Sequence, residues 1–186
     1  MDVRLRVFPI TRSLWLGPFA SPMRRPVLVA SRVTHILNVG EAPSVLSTSD
    51  TPFREIAWLP IEDMERIPDD IAITCLGALH RMVCQPDARV YIHCIAGQNR
   101  SPTILWLYLI GCGLDVDRAR AVIEAGARDA IPGHNRLVDD ALVEVVRRFG
   151  GSSLLPHPRP EALEPLVATE AALDPGQGGR FAVHLD

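Results

Sequence analysis

Two apolar runs joined by a short glycine-containing loop constrain the fold of this 186-residue chain more than any other feature. The first run, residues 88–93 (ARVYIH), is short and bounded by turn residues, which is typical of a central strand. The second, residues 102–114, is 13 residues long and too short to span a membrane, and it predicts a buried helix over about residues 101–110 that ends at residues 111–113. The chain therefore places a loop between a buried strand and the N-terminus of a buried helix.

The remaining segments extend this strand–helix pattern. Apolar and β-branched runs predict one or two strands in residues 5–16, and further strands in 34–39 and 53–60. Helical spacing of apolar residues predicts helices over residues 22–32, 68–84, 115–127 and 134–149. In the last of these, His134 and Asn135 are predicted to cap the N-terminus. Together the elements predict an α/β fold with a central mixed, mainly parallel β-sheet flanked by helices.

The composition changes near residue 150. Residues 1–150 have the length of one domain, so we predict a single catalytic or binding domain there. Residues 151–186 are rich in Pro and Gly and predict a tail that is flexible or docks on the domain. Within this tail, residues 161–173 favour a helix and residues 180–185 favour an edge strand.

Charge and targeting signals narrow the class of partner. The net charge is −3 and all 19 basic residues are Arg, so the chain lacks the basic footprint expected for nucleic-acid binding. We find neither a secretory signal nor an apolar run long enough to span a membrane, and we expect a cytoplasmic protein without a membrane partner. The four cysteines are irregularly spaced, which favours free thiols. The acidic balance favours a monomer.

The loop between the two apolar runs has the composition of an anion-binding site. Backbone N–H groups of a loop that enters a helix N-terminus can form a concave nest, and Gly97 permits the positive φ that such a nest needs. Arg100 adds a guanidinium that can hold two oxygens of a tetrahedral anion. The predicted phosphate-binding residues are Ile95, Ala96, Gly97, Gln98, Asn99 and Arg100.

The same loop predicts a reactive thiol. A cysteine at a helix N-terminus has its pKa lowered to about 3.5–7.5, so Cys94 is predicted to be a thiolate and a nucleophile for phosphoryl transfer. The leaving group needs a proton, and Asp63 lies in a loop that follows a predicted strand. Glu62, Asp69 and Asp70 are rival acids, although the last two are typical helix-start residues.

These motifs resemble a known family. Residues 93–101 (HCIAGQNRS) resemble the signature loop of cysteine-dependent protein tyrosine phosphatases, specifically of the small dual-specificity group. Residues 14–17 (LWLG) resemble the opening strand of that group, 33–39 (VTHILNV) its second strand, and 60–63 (PIED) its general-acid loop. The resemblance covers residues 4–148.

The resemblance implies a role for each matching residue. Cys94 is the nucleophile, Arg100 holds the phosphate, and Asp63 is the general acid and later the base that activates water. Ser101 donates to the thiolate and eases breakdown of the phosphocysteine, while His93 orients the loop and helps to lower the thiol pKa. Neither a metal nor another cofactor is implied.

The function implied is metal-independent hydrolysis of phosphomonoesters, on protein phosphotyrosine and/or phosphoserine and phosphothreonine, through a phosphocysteine. Other hypotheses stay open. Asn99 before Arg100 resembles RNA 5′-triphosphatases, which are one kind of non-protein phosphate hydrolase, although an acidic chain without Lys suits polynucleotides poorly. A phosphoinositide phosphatase is disfavoured by the uncharged loop residues. A catalytically weak adaptor that binds phosphorylated partners is the remaining alternative.

Overall fold

The computed structural model describes residues 6–49, 52–154 and 163–165. Within these residues five short strands form a single sheet: β1 (Phe8–Pro9), β2 (Leu14–Gly17), β3 (His35–Asn38), β4 (Glu55–Trp58) and β5 (Val90–His93). Their order across the sheet is β1–β2–β5–β3–β4. The β1–β2 pair is antiparallel, whereas β2–β5, β5–β3 and β3–β4 are parallel. The mixed, mainly parallel sheet predicted from the sequence is confirmed.

Five helices accompany the sheet in the described part of the chain: α1 (Arg25–Ala30), α2 (Asp69–Val83), α3 (Arg100–Gly111), α4 (Val116–Gly126) and α5 (Asp140–Ser153). Side chains of β3 and β5 alternate between two apolar cores, as the two-residue period of a strand requires. Leu37 and Ile92 pack into the larger core with α2 to α5, while Ile36 and Tyr91 pack into the smaller one with Leu28 of α1. Helices therefore cover both faces of the sheet.

Helix α3 is the centre of the larger core. All of its residues are buried, which confirms the prediction from the apolar run, and it packs against α2, α4 and α5. The crossing with α5 is close enough that a Cβ on Gly150 would overlap the carbonyl oxygen of Gly111. Glycine at position 150 thus lets the two helices meet at backbone distance, and it fixes the position of α3 relative to the rest of the domain.

Parallel strands bring four loops together at one edge of the sheet. The carboxyl ends of β2, β5, β3 and β4 all lie at this edge, because these strands share one direction. Ligands of parallel α/β sheets bind outside the carboxyl ends of the strands. The loop at residues 94–99, which follows β5, is central among them, with the loops after β3 and β4 on one side and the loop after β2 on the other.

The last helix differs from its prediction at both ends. It begins at Asp140, and its N-cap is Asp139, whose side chain accepts a hydrogen bond from the Leu142 N–H at 2.9 Å. The predicted cap at His134 and Asn135 is wrong, since those residues lie in turns. Leu137 is fully buried as predicted, but it belongs to the preceding loop, where its carbonyl accepts from the Ile67 N–H at 2.9 Å.

The first helix and the tail also depart from the simple pattern. Helix α1 is shorter than the predicted span of residues 22–32, and its Ala30 is exposed. Helix α5 continues to Ser153, past the predicted helix end at Phe149, because its last turns pack on α3. Pro165 forms an antiparallel bridge with Thr11. Apart from residues 163–165, the helix predicted at 161–173 and the strand predicted at 180–185 lie outside the described residues.

Candidate active site

The loop after β5 holds the thiol of Cys94 at the base of a surface cavity. Cys94 is 2% exposed. Its Sγ accepts a hydrogen bond from the Gly97 backbone N–H at 3.3 Å and another from the Ser101 hydroxyl at 3.4 Å. Both donors stabilise the anionic form of the sulfur more than the neutral form. The strand–loop–helix segment therefore surrounds Cys94 with groups that favour a thiolate.

The pKa of Cys94 reflects a competition between burial and these donors. Burial is the largest single influence and raises the thiol pKa. The hydroxyl of Ser101, the backbone N–H groups of Ser101 and Gly97, and the charge of Arg100 act in the opposite direction and together prevail. The net result is a pKa below the ordinary value of a cysteine.

Two backbone carbonyls of the loop are tied away from the cavity. The Ile95 carbonyl accepts from the Phe19 N–H at 3.0 Å, and the Gln98 carbonyl accepts from the Ile131 N–H at 2.8 Å. In a trans peptide group the N–H points opposite to the C=O, so the N–H groups that follow, of Ala96 and Asn99, are turned the other way. Both of these residues line the cavity that contains Cys94. The loop thus has the backbone arrangement of an anion nest.

Gly97 is required by both conformation and space. Its φ is 77°, in the left-handed region that favours glycine. A Cβ at this position would lie 2.5 Å from the carbonyl carbon of Gly17, at the end of β2. The loop backbone therefore packs directly against the end of β2.

The guanidinium of Arg100 is buried beside the thiol, and it divides its donors between two directions. Nη1 donates to the carboxylate of Glu41 and, at 3.2 Å, to the Ile61 carbonyl. Nε has no hydrogen-bond partner within the described residues. An oxygen of Asp63 lies 3.3 Å from Nε, which is an ion-pair distance without hydrogen-bond alignment. One edge of the guanidinium is thus fixed to the protein, while the Nε edge faces the Asp63 carboxylate and can receive an anion once Asp63 moves aside.

Asp63, the predicted general acid, is brought into this cavity. The loop that carries it is aligned by two backbone bonds: the Leu59 N–H donates to the Asn38 carbonyl at 2.9 Å, and the Ile61 N–H donates to the Val39 carbonyl at 3.2 Å. The side chain of Asp63 is 48% exposed and lies at the mouth.

The rival acids lie elsewhere. Glu62 is exposed and does not line the cavity. Asp69 and Asp70 begin α2, as their helix-start character predicted, and Asp69 pairs with Arg66 at 3.0 Å. Of the four predicted acids, Asp63 is the one that the fold brings beside Cys94 and Arg100.

Glu41 is a site residue that the sequence analysis missed. It lies in the loop after β3, lines the cavity and contacts Arg100. Asn38, fully buried at the end of β3, shapes this loop by donating to the Ala42 carbonyl at 2.8 Å and accepting from the Gly40 N–H at 2.9 Å. Trp58 also donates to the Gly40 carbonyl at 2.9 Å. A signal was present: a buried-strand Asn followed by Gly and Glu predicts a side-chain-stabilised turn at a sheet edge.

His93 supports the loop from beneath as a neutral side chain. It is fully buried, and burial is the main influence that lowers its pKa to about 4. Its Nδ1 lies 3.1 Å from the Cys94 carbonyl; since a carbonyl accepts, Nδ1 carries the proton. His93 therefore orients the Cys94 peptide group, and as a neutral imidazole it supplies no positive charge to lower the thiol pKa.

The cavity collects most of the predicted site residues. It is lined by Cys94, Ile95, Ala96, Asn99, Arg100, Asp63 and Glu41. Gly97 and Gln98 instead border a second cavity on the other side of the loop. Ser101 and His93 are fully buried behind the lining residues, so they act on the site through Cys94.

The other thiols do not adjoin Cys94 in this structure. Cys84 is exposed, and its Sγ lies 3.7 Å from an imidazole nitrogen of His80. His80 in turn lies 3.2 Å from the Tyr108 hydroxyl, two turns along α3 from Arg100. At about 1.5 Å per residue this separation is about 12 Å along the helix axis. Cys75 is buried, and burial raises its pKa to about 12, which leaves it a poor nucleophile.

The described residues lack two features that would suggest other functions. They contain no group of three or more His, Cys, Asp and Glu side chains arranged to hold a metal ion. Within the same residues, the helices fall short of the length and apolar character needed to cross a bilayer.

Comparisons with known proteins agree with this geometry. No family model matches the chain. Dual specificity protein phosphatase 5 of Rattus norvegicus is 30% identical over 99 residues, which is 52% of this chain and 24% of the rat protein. Dual specificity protein phosphatase 1B of Arabidopsis thaliana is 25% identical over 127 residues, covering 66% of this chain and 72% of the plant protein. The chain thus spans only about a quarter of the rat relative's length.

The fold points to the same class. A mouse putative dual specificity phosphatase, crystallised with zinc tungstate, superposes with a TM-score of 0.67 at 17% identity, covering 84% of this chain and 96% of that one. A likeness at this identity establishes the fold, which is that of the cysteine-dependent phosphatases. Taken with the curated relatives, it makes the chain similar to the dual-specificity phosphatases of the cysteine-dependent protein tyrosine phosphatase superfamily.

Proposed function

We propose that this protein is a metal-independent phosphatase that hydrolyses phosphomonoesters of proteins through a phosphocysteine on Cys94. The observation that carries the proposal is the environment of the thiol. Cys94 Sγ accepts from Ser101 and Gly97 at the base of a cavity that also holds the guanidinium of Arg100 and the carboxylate of Asp63. A nucleophile, an anion clamp and a proton donor thus share one small site.

In the first step the phosphate binds to the loop amides and to the Nε edge of Arg100. Asp63 leaves its position beside Nε, which its exposed loop allows, and in its protonated form it faces the leaving oxygen. The thiolate attacks phosphorus, so an S–P bond forms as the P–O bond to the leaving group breaks. Asp63 gives its proton to the departing oxygen, which leaves as an alcohol or phenol.

In the second step water replaces the leaving group. Asp63, now a carboxylate, takes a proton from the water as its oxygen attacks phosphorus. The S–P bond breaks, inorganic phosphate forms, and the electron pair returns to sulfur as a thiolate. The hydroxyl of Ser101 donates to that thiolate and makes it a better leaving group. Arg100 and the helix N-terminus stabilise the negative charge that metal ions stabilise in other phosphatases.

Phosphoproteins are the proposed substrates. Both curated relatives are named dual specificity protein phosphatases, which supports phosphotyrosine together with phosphoserine and phosphothreonine. The side chains of Glu41 and Asp63 at the mouth are about half exposed, which favours a shallow site that admits both kinds of residue.

The experiment is steady-state hydrolysis of para-nitrophenyl phosphate with excess chelator, comparing wild type with Cys94→Ser. We expect turnover in wild type alone and a phosphoenzyme in acid-quenched wild type. The serine variant keeps the loop amides and Arg100, so it should still bind phosphate. Absence of turnover in wild type, with phosphate still protecting Cys94 from alkylation, would contradict the enzymatic proposal and favour the phospho-binding adaptor.

The role of Asp63 is tested by the leaving group. Asp63→Asn should slow alkyl phosphates, whose leaving groups need a proton, by about 10²–10⁴ while slowing aryl phosphates with acidic leaving groups much less. Glu62→Gln is the matched control, because it removes the neighbouring carboxylate that does not line the cavity. Equal effects of Asp63→Asn on both substrate classes would contradict the assignment.

A further inference from the structure

Carboxylates, rather than basic side chains, surround the mouth of the candidate site. Glu41 and Asp63 both line the cavity, with their side chains 59% and 48% exposed. Arg100 is the one cationic side chain among the lining residues that the structure describes, and it is buried at the base. A substrate therefore meets two anionic groups at the rim before its phosphate reaches the single cation.

Arg100 cannot neutralise all of these anions and a phosphate as well. In the structure it contacts Glu41 through Nη1 and lies 3.3 Å from Asp63 through Nε. The side chain is almost wholly buried and lines the cavity, and its Nε has no hydrogen-bond partner among the described residues. That Nε–H points to an anionic ligand as the missing partner, and when the ligand binds, the charge of Arg100 is shared further.

Glu41 is the carboxylate at the cavity mouth that stays ionised throughout the proposed reaction. Asp63 sheds its charge when it is protonated to act as the general acid, whereas Glu41 has no such step in the proposed reaction. The hydrogen bond from Arg100 holds the pKa of Glu41 below its ordinary value, so Glu41 is ionised at neutral pH. A bound phosphate and an ionised Glu41 then face each other across one guanidinium, and a second cation at the rim lowers the free energy of this arrangement.

We propose that Glu41 is a specificity-determining residue that selects phosphopeptides with Arg or Lys beside the phosphorylated residue. The cationic side chain of such a peptide lies against the exposed Glu41 carboxylate while the phosphate occupies the loop. Peptides with acidic residues at the same place, and polyphosphorylated ligands in general, meet repulsion from the rim. This inference rests on the proposed phosphatase function and names its substrate class.

The test uses three phosphotyrosine peptides that differ only in the residues flanking the phosphotyrosine, which are Arg, Gln or Glu. We expect kcat/KM of the wild type to fall in that order, by about tenfold from first to last, since an exposed ion pair contributes modestly and the two extremes differ in sign. Raising the salt from about 50 to about 500 mM should reduce the differences in kcat/KM among the three peptides, because the added ions screen the carboxylates at the cavity mouth.

Glu41→Gln tests the contribution of the Glu41 charge to this selectivity. The amide oxygen still accepts from Arg100, and the ratio between peptides cancels any change in the shared chemical steps. We expect the ratio of Arg-flanked to Glu-flanked peptide to fall to about threefold. The matched control is Glu124→Gln, which removes the same charge from the exposed face of α4, away from the cavity, and should leave the tenfold ratio in place.

A binding measurement separates this inference from the proposed function. The Kd values of the same peptides for Cys94→Ser report selectivity without turnover. Equal kcat/KM and equal Kd across the three peptides, with para-nitrophenyl phosphate still hydrolysed, would overturn the inference and leave the phosphatase proposal standing. An ordered series of Kd values without any hydrolysis by wild type would support the selectivity and overturn the phosphatase proposal.

Discussion

The hydroxyl of Ser101 donates to the sulfur of Cys94 over 3.4 Å, although the two residues lie on opposite sides of the loop that separates β5 from α3. Ser101 is fully buried in the first turn of α3, so its hydroxyl is held toward the thiol by the packing of the helix. Among the influences that lower the pKa of Cys94, this side-chain bond is the largest.

Ser101→Ala is therefore expected to move the pKa of Cys94 upward. The measurement is the rate of alkylation by iodoacetamide as a function of pH, whose midpoint should shift to higher pH. Near pH 6, kcat/KM should fall by roughly tenfold, since a hydrogen bond to a charged group contributes about 1.5–3 kcal/mol. Thr103→Val is the control: its buried hydroxyl has no hydrogen-bond partner among the residues that the structure describes, so an equal shift there would contradict the role of Ser101.

His93 predicts a pH dependence of stability. Its folded-state pKa is lowered from 6.5 to about 4, chiefly by burial, so the unfolded state binds the proton first as the pH falls. The contribution is complete above pH 6.5 and is lost between pH 6.5 and 4, with a slope of about 1.4 kcal/mol per pH unit for one proton.

His93→Asn keeps a donor for the Cys94 carbonyl and removes the titration. Urea unfolding followed from pH 7.5 to 4 should give a shallower loss of unfolding free energy for the variant than for wild type. Burial also lowers the pKa of His35, which leaves part of the slope in the variant. Parallel curves for the two proteins would show that His93 is not the titrating group.

The contact between α3 and α5 predicts an asymmetry between adjacent glycines. A Cβ on Gly150 would overlap the Gly111 carbonyl oxygen, whereas one on Gly151 would meet no atom of the described part of the chain within 4 Å. Gly150→Ala should lower the free energy of unfolding by about 1–3 kcal/mol, as overpacking does, and Gly151→Ala should leave it unchanged or raise it by about 0.5 kcal/mol. Chemical denaturation checks both, and equal effects would contradict the close crossing.

Asn38 is expected to affect the site through the Glu41 loop, although Asn38 itself does not line the cavity. Asn38→Asp retains an acceptor for the Gly40 N–H but loses the Nδ2 group, which donates to the Ala42 carbonyl and to the Ser44 hydroxyl, so the Glu41 loop loses two of the three donor–acceptor pairs that it now forms with Asn38. Stability should fall by about 1–3 kcal/mol. A lower kcat/KM, measured on para-nitrophenyl phosphate where the variant is still folded, would show that this loop positions Arg100. An unchanged kcat/KM would show that Arg100 is held without it.

Much of the architecture could be predicted from local signals. The strand before Cys94, the apolar helix after Arg100 and the acidic start of α2 all have short-range signatures, and the structure confirms each. The start of α5 was predicted too early because of Leu137. This residue is buried and bonded to the loop before α2, yet its spacing from the apolar residues of α5 happens to be helical.

The candidate site also combines residues whose proximity could be predicted from the sequence with one whose proximity could not. Cys94, Arg100 and Ser101 lie within one continuous segment, so their proximity follows from the sequence. Glu41 reaches Arg100 from 59 positions away, and its contact depends on the order of β3 and β5 in the sheet. Topology of this kind is a long-range property, and no local pattern around Glu41 specifies it.

Because α3 is completely buried, the candidate site combines a helix whose amide hydrogens exchange slowly with loops whose amide hydrogens exchange fast. Amides in the interior of α3 open only when the larger core opens, so the helix that carries Arg100 and Ser101 is protected to nearly the global limit. The half-exposed loops that carry Glu41 and Asp63 exchange through small local openings. The helix proposed to hold the phosphate through Arg100 thus shares the lifetime of the whole domain, while the loops proposed to meet the rest of the substrate rearrange many times within it.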